Sequence, residues 1–167
     1  MKKVGLISDT HIPSRGKSLP SSIIKHFSYC DLILHAGDLE EITVVEELGK
    51  IAPVKAVHGN MCHADVIRTV PSILQIKIED ITVGLIHGDG GPSGYYERII
   101  SKFQRFSNNK LPEIIICGHT HHPEAKILHE IQFINPGSPT DKYFAPYNTI
   151  ALMQINKREF NFNFVTL

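Results

Sequence analysis

Five short stretches of this chain carry side chains suited to metal chemistry. They are Ser8-Asp9-Thr10-His11, His35-Ala36-Gly37-Asp38, His58-Gly59-Asn60, His87-Gly88-Asp89 and Gly118-His119-Thr120-His121. Carboxylate, imidazole and carboxamide oxygen suit Mn, Fe, Co, Ni or Zn, and none of the five stretches offers a thiolate. Asp9 and His11 are two residues apart, as are His119 and His121. In extended backbone that spacing puts both side chains on one face. Taken singly, each stretch has an ordinary explanation. Asp-x-His is a common surface-loop pattern, Gly37-Asp38 and Gly59-Asn60 are turn dipeptides, and a lone His87 reads as a satisfied structural histidine. Paired histidines directly after an apolar run have no packing purpose, however, and the coincidence of all five stretches favours one shared site.

Each stretch follows an apolar run, and the runs read as buried strands: 4–7, 32–34, 54–57, 83–86 and 114–117. Helix signals at 21–27 and 41–48 separate the first three, and this βαβαβ order predicts a parallel sheet with helices on its faces. Further on, segments 72–78 and 81–86 form a hairpin signal around Glu79-Asp80. Residues 93–106 place Tyr96, Ile99, Ile100 and Phe103 on one helical face. The later strands, near 125–129, 131–134, 148–155 and 159–165, alternate as antiparallel edge hairpins do. The expected fold class is α/β, a four-layer α/β/β/α sandwich of two mixed β-sheets flanked by helices. Ligands of open α/β sheets bind beyond the carboxyl ends of the strands, which is where all five stretches fall. Loops 12–18, 61–69, 88–94 and 136–146 are expected to shape the remainder of the site. Of these, Gly88 to Gly94 reads as a flexible rim, with a backbone N–H phosphate cradle as the alternative.

The whole chain sets limits on function. Its 167 residues predict one domain. Lys plus Arg equals Asp plus Glu at 17 each, so a broad footprint for long nucleic acid or a membrane surface is not expected. Cys30, Cys62 and Cys117 are odd in number and show no paired spacing. That argues for a reduced, cytoplasmic setting rather than a disulfide framework. No signal-peptide core follows Met1-Lys2-Lys3, and no apolar run is long enough to span a bilayer. Gly16-Lys17-Ser18 lacks the earlier glycine of a P-loop, and Ser93 lacks the second glycine of a nucleophile elbow.

Asp9-x-His11, Gly37-Asp38, Gly59-Asn60, His87 and Gly118-His119-x-His121 together resemble the calcineurin-like metallophosphoesterase superfamily, and in particular its small single-domain phosphodiesterase branch of bacteria and archaea. The resemblance implies a single metallophosphoesterase domain over residues 1–167. Asp9, His11 and His121 would hold one divalent ion, Asn60, His87 and His119 a second, and Asp38 would bridge the two. Manganese is the ion implied first, with nickel, cobalt, zinc or iron as substitutes. The implied reaction is attack of a metal-bridging hydroxide on the phosphorus of a small phosphodiester, with Asp38 and Asn60 at the reacting centre. Where many members carry a histidine after the Gly-Asn pair, this chain has Met61, so His63 is the candidate proton donor. Asp89 stands where many members have another histidine, and is a candidate substrate contact. His35 is expected to orient Asp38, and Asn135 and Ser138 to form a wall of the site. The enzymatic alternatives are a phosphomonoesterase or a short-strand nuclease. The non-enzymatic alternative is a catalytically silent interaction scaffold, since the retromer scaffold subunit resembles the same fold. Physiological substrate and homo-oligomeric state are not legible in the sequence.

Overall fold

The structure, a computed structural model, describes residues 1–167. The chain begins with β1 (Lys2–Ile7), α1 (Ser21–Phe27), β2 (Leu32–His35), α2 (Thr43–Gly49), β3 (Val54–Ala56) and α3 (Ala64–Thr69). It continues with β4 (Ile73–Ile78), β5 (Ile81–Ile86), α4 (Tyr95–Phe106), β6 (Ile114–Ile116), β7 (Pro123–Leu128), β8 (Ile131–Pro136), β9 (Thr149–Asn156) and β10 (Glu159–Thr166). One sheet runs β10-β9-β1-β2-β3 and the other β4-β5-β6-β8-β7. In the first, β1, β2 and β3 are parallel while β9 and β10 add as an antiparallel hairpin. In the second, β5, β6 and β8 are parallel and β4 and β7 pair antiparallel at the edges. Both sheets are therefore mixed, with parallel centres.

Three apolar layers hold the sheets and helices together. Between the sheets lie Val4, Leu6 and Leu34 of the first against Val83, Leu85, Ile114 and Ile116 of the second. On the outer face of the first sheet, Ile7, Ile33 and Ile150 meet Ile23 and Phe27 of α1, Val44 and Leu48 of α2, and Val66 of α3. On the outer face of the second, Ile115 and Phe133 meet Tyr95, Ile99, Ile100 and Phe103 of α4. The α/β/β/α sandwich expected from the apolar runs is the observed fold. Phe103 is fully buried, and its truncation to alanine is the change that would most damage the α4 layer, by about 3–5 kcal/mol.

Several boundaries differ from the sequence reading. α2 starts at Thr43 rather than at residue 41, and α4 at Tyr95 rather than at 93, because Gly94 precedes it with φ 68°. Residues 64–69, read as loop, form α3, a helix too short to show a period, with Val66 as its one buried side chain. The Gly88–Gly94 loop is tied down and is not a free rim. Arg98 donates to the carbonyls of Asp89, Gly91 and Ser93, and His119 Nε2 donates to that of Gly90 at 2.9 Å. Four carbonyls of the loop are thereby engaged as acceptors. No helix is long and apolar enough to cross a membrane.

Candidate metal centre

Six parallel strands, β1, β2 and β3 of one sheet and β5, β6 and β8 of the other, deliver their carboxyl ends to one edge of the sandwich. The loops beyond them are laced across both sheets. Asp9 N–H donates to Gly37 C=O and His11 N–H to Asp38 C=O, each at 2.9 Å, and Gly118 N–H donates to His87 C=O at 3.0 Å. His119 N–H is shared between both carboxylate oxygens of Asp9 at 3.1 Å, which joins β1 to β6.

Two groups of metal-ligating atoms result. Asp9, His11 and His121 form one, and Asp9, Asp38 and His87 the other, all buried, with the donor atoms of each group within 4.8 Å of one another. Asp9 belongs to both groups. Asp38 reaches both as well, its Oδ2 lying 3.1 Å from His87 Nε2 and 3.6 Å from His11 Nε2. Close packing at two glycines lets the carboxylates sit so deep. A Cβ at Gly59 would lie 2.1 Å from Asp38 Oδ1, and one at Gly118 would lie 2.7 Å from Asp9 Oδ2.

The protonation of the imidazoles follows from their outer partners. His87 Nδ1 is 2.8 Å from Ala36 C=O, His11 Nδ1 is 3.0 Å from Glu40 Oε1, and His121 Nδ1 makes a very short contact with Asp141 Oδ2. A carbonyl or carboxylate only accepts, so each Nδ1 carries a hydrogen, and in the neutral form of each ring Nε2 is left bare and turned inward. The Nε2 atoms of His11 and His121 are 3.2 Å apart. Two lone pairs at that distance repel unless a cation lies between them. His87 Nε2 is buried and has no hydrogen-bond partner, with Asp38 Oδ2 lying 3.1 Å away. Such an orphaned acceptor facing two carboxylates fits a divalent ion.

The electrostatics agree. Burial works to raise the Asp9 and Asp38 carboxyls, yet His87 beside both, with His121 beside Asp9, holds them below the usual carboxylate range. Burial works to lower His87 and His121, yet Asp9 lifts both above the ordinary histidine value, helped by Asp38 and Asp141 respectively. The pocket therefore attracts positive charge, as protons or as metal.

The alternation argument for Asp-x-His and His-x-His fails locally although the side chains converge. Asp9, His11, His119 and His121 have φ of 52°, 41°, 70° and 60°, with Asp38 at 51° and Glu40 at 67°. None is in extended backbone. Left-handed conformation costs a non-glycine residue on the order of 1–2 kcal/mol, and such residues concentrate at functional sites where the surroundings over-determine them. As a consequence His119 and His121 part company. His121 joins Asp9 and His11, whereas the His119 ring packs edge-on to His87 and hydrogen-bonds Gly90.

The remaining predicted residues are spread over the surroundings. Asn60 is exposed and lines both clefts that flank the centre. His35 makes no hydrogen bond to Asp38. Its Nδ1 accepts from Gly37 N–H and its Nε2 bonds Thr10 Oγ1, and burial pushes its pKa down to about 4. Asn135 Nδ2 bridges Gly118 C=O and Thr120 Oγ1, and Ser138 Oγ donates to Asp9 C=O at 2.6 Å, so both brace ligand loops from behind. Asp89 lines one cleft, paired with Lys102 at 2.6 Å. His63 is an exposed residue ahead of α3 and lines neither cleft. Sequence reasoning missed Glu40 and Asp141. Glu40 stands two residues after Asp38, a spacing that would have flagged it, while Asp141 has no local signal because its partner is 20 residues away.

Comparison with known proteins follows the same lines. A family model described as a calcineurin-like phosphoesterase superfamily domain matches residues 1–158. A probable metallophosphoesterase of Methanothermobacter thermautotrophicus is 41% identical over 138 residues, covering 82% of this chain and 77% of the relative. A phosphodiesterase of Methanocaldococcus jannaschii is 22% identical over 172 residues, covering 95% and 96%. Among solved structures, a Thermotoga maritima protein superposes with a TM-score of 0.78 at 32% identity, with 100% of each chain covered. Vps29 of Entamoeba histolytica, solved with zinc, superposes with a TM-score of 0.80 at 27% identity, covering 98% of this chain and 92% of that one.

Proposed function

The chain belongs to the calcineurin-like phosphoesterase superfamily, and from that premise we propose that it is a phosphodiesterase working with two divalent ions, manganese first among them. The observation that carries this reading is the convergence of bare imidazole nitrogens and ionised carboxylates in two buried groups, with one nitrogen orphaned. Asp9, His11 and His121 are the proposed ligands of one ion, and Asn60, His87 and His119 of the other, with Asp38 bridging. Bound there, such ions acidify a water and neutralise phosphoryl charge.

The chain's own residues have three tasks. Glu40, Asp141 and Ala36 C=O hold the Nδ1 hydrogens, so that Nε2 of His11, His121 and His87 stays free to ligate. Met61 N–H donates to Asp38 Oδ1 at 2.8 Å, fixing one oxygen of that carboxylate and leaving the other turned inward. Asn60, which lines both clefts, is the proposed contact for a phosphoryl group. His63 has no part in this reading. The 22% identical phosphodiesterase supports diesters over monoesters as substrate.

The test is hydrolysis of bis(p-nitrophenyl) phosphate and p-nitrophenyl phosphate by protein loaded with Mn²⁺, with Asp38→Asn alongside. Faster cleavage of the diester, lost by at least about 100-fold in the variant, is the expected outcome. Bound metal without hydrolysis of either ester would favour the silent scaffold, and a preference for the monoester would favour a phosphomonoesterase.

A further inference from the structure

Two clefts open from the metal centre, and they differ in kind. One, of about 460 Å³, is lined by His58, Ser72, Asp89, Lys102 and Arg105 among others and holds no aromatic ring of Phe, Tyr or Trp. The other, of about 510 Å³, contains Arg15, Met61 and Phe144 together with His11 and His121. Asn60 lines both.

The second cleft carries a stacking surface. Phe144, which lines the cleft, is 62% exposed, and its chain neighbour Tyr143, outside that lining but beside Arg15, is 82% exposed, an arrangement that burial does not explain. The Phe144 ring stands edge-on to His121 with centroids 6.1 Å apart, so it borders the proposed metal ligands directly. Arg15 lies 4.9 Å from the Phe144 ring centre and 5.5 Å from that of Tyr143. The platform is fixed in place. Asp141 accepts from Tyr143 N–H at 2.8 Å and from Arg15 Nη1 at 3.2 Å, and Asn148 Nδ2 donates to Asp141 C=O at 2.8 Å.

We propose that this cleft is a subsite for the base of a nucleotide, so that the substrate class is a phosphodiester with at least one nucleoside arm. The inference rests on the phosphodiesterase reading above. A diester sends two arms away from phosphorus, and two clefts that share Asn60 are there to take them. Flat rings beside a guanidinium match a base attached to a phosphate, since bases stack on aromatic side chains and on arginine whatever their identity. A lipid arm is the poorer match, because only two of the ten residues lining this cleft are hydrophobic. The other cleft, with Lys102 and Arg105, suits a polar or anionic second arm.

The experiment compares AMP with ribose 5-phosphate, which differ only in the base, by calorimetric binding to the Mn²⁺-loaded protein. AMP is expected to bind about 10- to 100-fold tighter, the range for one stacked base. Tyr143→Ala with Phe144→Ala should bring the ratio close to one, and Phe144→Trp should preserve it. Equal affinities for the wild-type protein, or binding of neither compound, overturn the subsite. Hydrolysis of bis(p-nitrophenyl) phosphate is measured in parallel. Base-dependent binding without hydrolysis would sink the phosphodiesterase reading and leave the nucleotide subsite standing. Hydrolysis with equal binding would sink only the subsite.

Discussion

Asp141→Asn removes one charge and no heavy-atom bulk, yet it is expected to invert a tautomer. Asp141 Oδ1 receives hydrogen bonds from Arg15 and Tyr143 N–H, and Oδ2 receives the Nδ1 hydrogen of His121. In the amide, the oxygen must stay where the two obligate donors meet. The NH₂ then faces His121 Nδ1, and having no lone pair to offer, it forces that nitrogen to accept. The ring hydrogen moves to Nε2, the atom 3.3 Å from Asp9 Oδ1 and 3.2 Å from His11 Nε2. Turning the amide over instead leaves the Arg15 and Tyr143 donors facing NH₂, at a cost of roughly 1–3 kcal/mol. Both routes point to the 10- to 100-fold loss of metal affinity typical of changes behind a ligating histidine, about 1.4–2.8 kcal/mol. Titration calorimetry with Mn²⁺ reads this directly, with Asp141→Ala as the control. Alanine removes the acceptor without supplying a wrong donor, so the ring remains free to choose its tautomer. The asparagine variant should therefore bind metal no better than the alanine variant. Asparagine binding within about twofold of wild type, or clearly better than alanine, would refute the tautomer argument.

Three further outcomes are expected. Gly59→Ala drives a methyl into the Asp38 carboxylate; chemical unfolding should show a loss of about 1–3 kcal/mol, and metal titration a weakened site, whereas a wild-type titration would mean that the cradle is not needed. Glu40→Gln presents an amide to His11 Nδ1 while Ser14 N–H holds the other oxygen at 3.1 Å, so its metal affinity should fall by about the same factor as in Asp141→Asn, and a wild-type isotherm would count against it. His35 has a folded pKa of about 4 against an ordinary value of 6.5, so the unfolded chain binds the extra proton between those values and stability is lost as pH is lowered through that window, by up to about 3 kcal/mol. His87 and His121, whose folded values are raised, contribute in the opposite sense, losing stability as pH rises above 6.5. The His35 share is isolated as the difference between wild type and His35→Gln in urea unfolding of metal-free protein, and equal slopes from pH 6.5 to 4 would contradict it.

The fold was legible because its determinants are local. Runs such as Ile114–Ile116 and Val83–Leu85 are apolar at successive positions, as only a strand covered on both faces requires, and the helices between them fixed the parallel order. The candidate ligand types were legible for the same reason, each following its strand directly. The geometry around them was not. Asp9, His11 and His121 adopt left-handed backbone that their sequence does not announce, since no glycine stands at those positions. The conformation is imposed by bonds from elsewhere, Gly37 C=O to Asp9, Asp38 C=O to His11 and Asp141 to His121. Local pattern cannot encode a restraint whose other half lies 20 or more residues away.

That distance also separates the candidate ligands from the groups that set their tautomers. The proposed ligands sit at or just beyond strand ends. Their tautomers depend on Glu40 and Asp141, and Asp141 is at the same time the anchor of Arg15 and of the Tyr143–Phe144 platform. One carboxylate thus couples the state of a metal ligand to the shape of the cleft beside it. A change at Asp141 should alter metal affinity and nucleotide discrimination together, whereas Glu40→Gln, whose side chain bonds His11 and Ser14 but not Arg15, Tyr143 or Phe144, should weaken metal binding and leave the ratio of AMP to ribose 5-phosphate affinities where it was. Calorimetry on the two variants with both ligands separates the cases, and parallel effects at the two sites would show that the coupling runs through the metal rather than through Asp141.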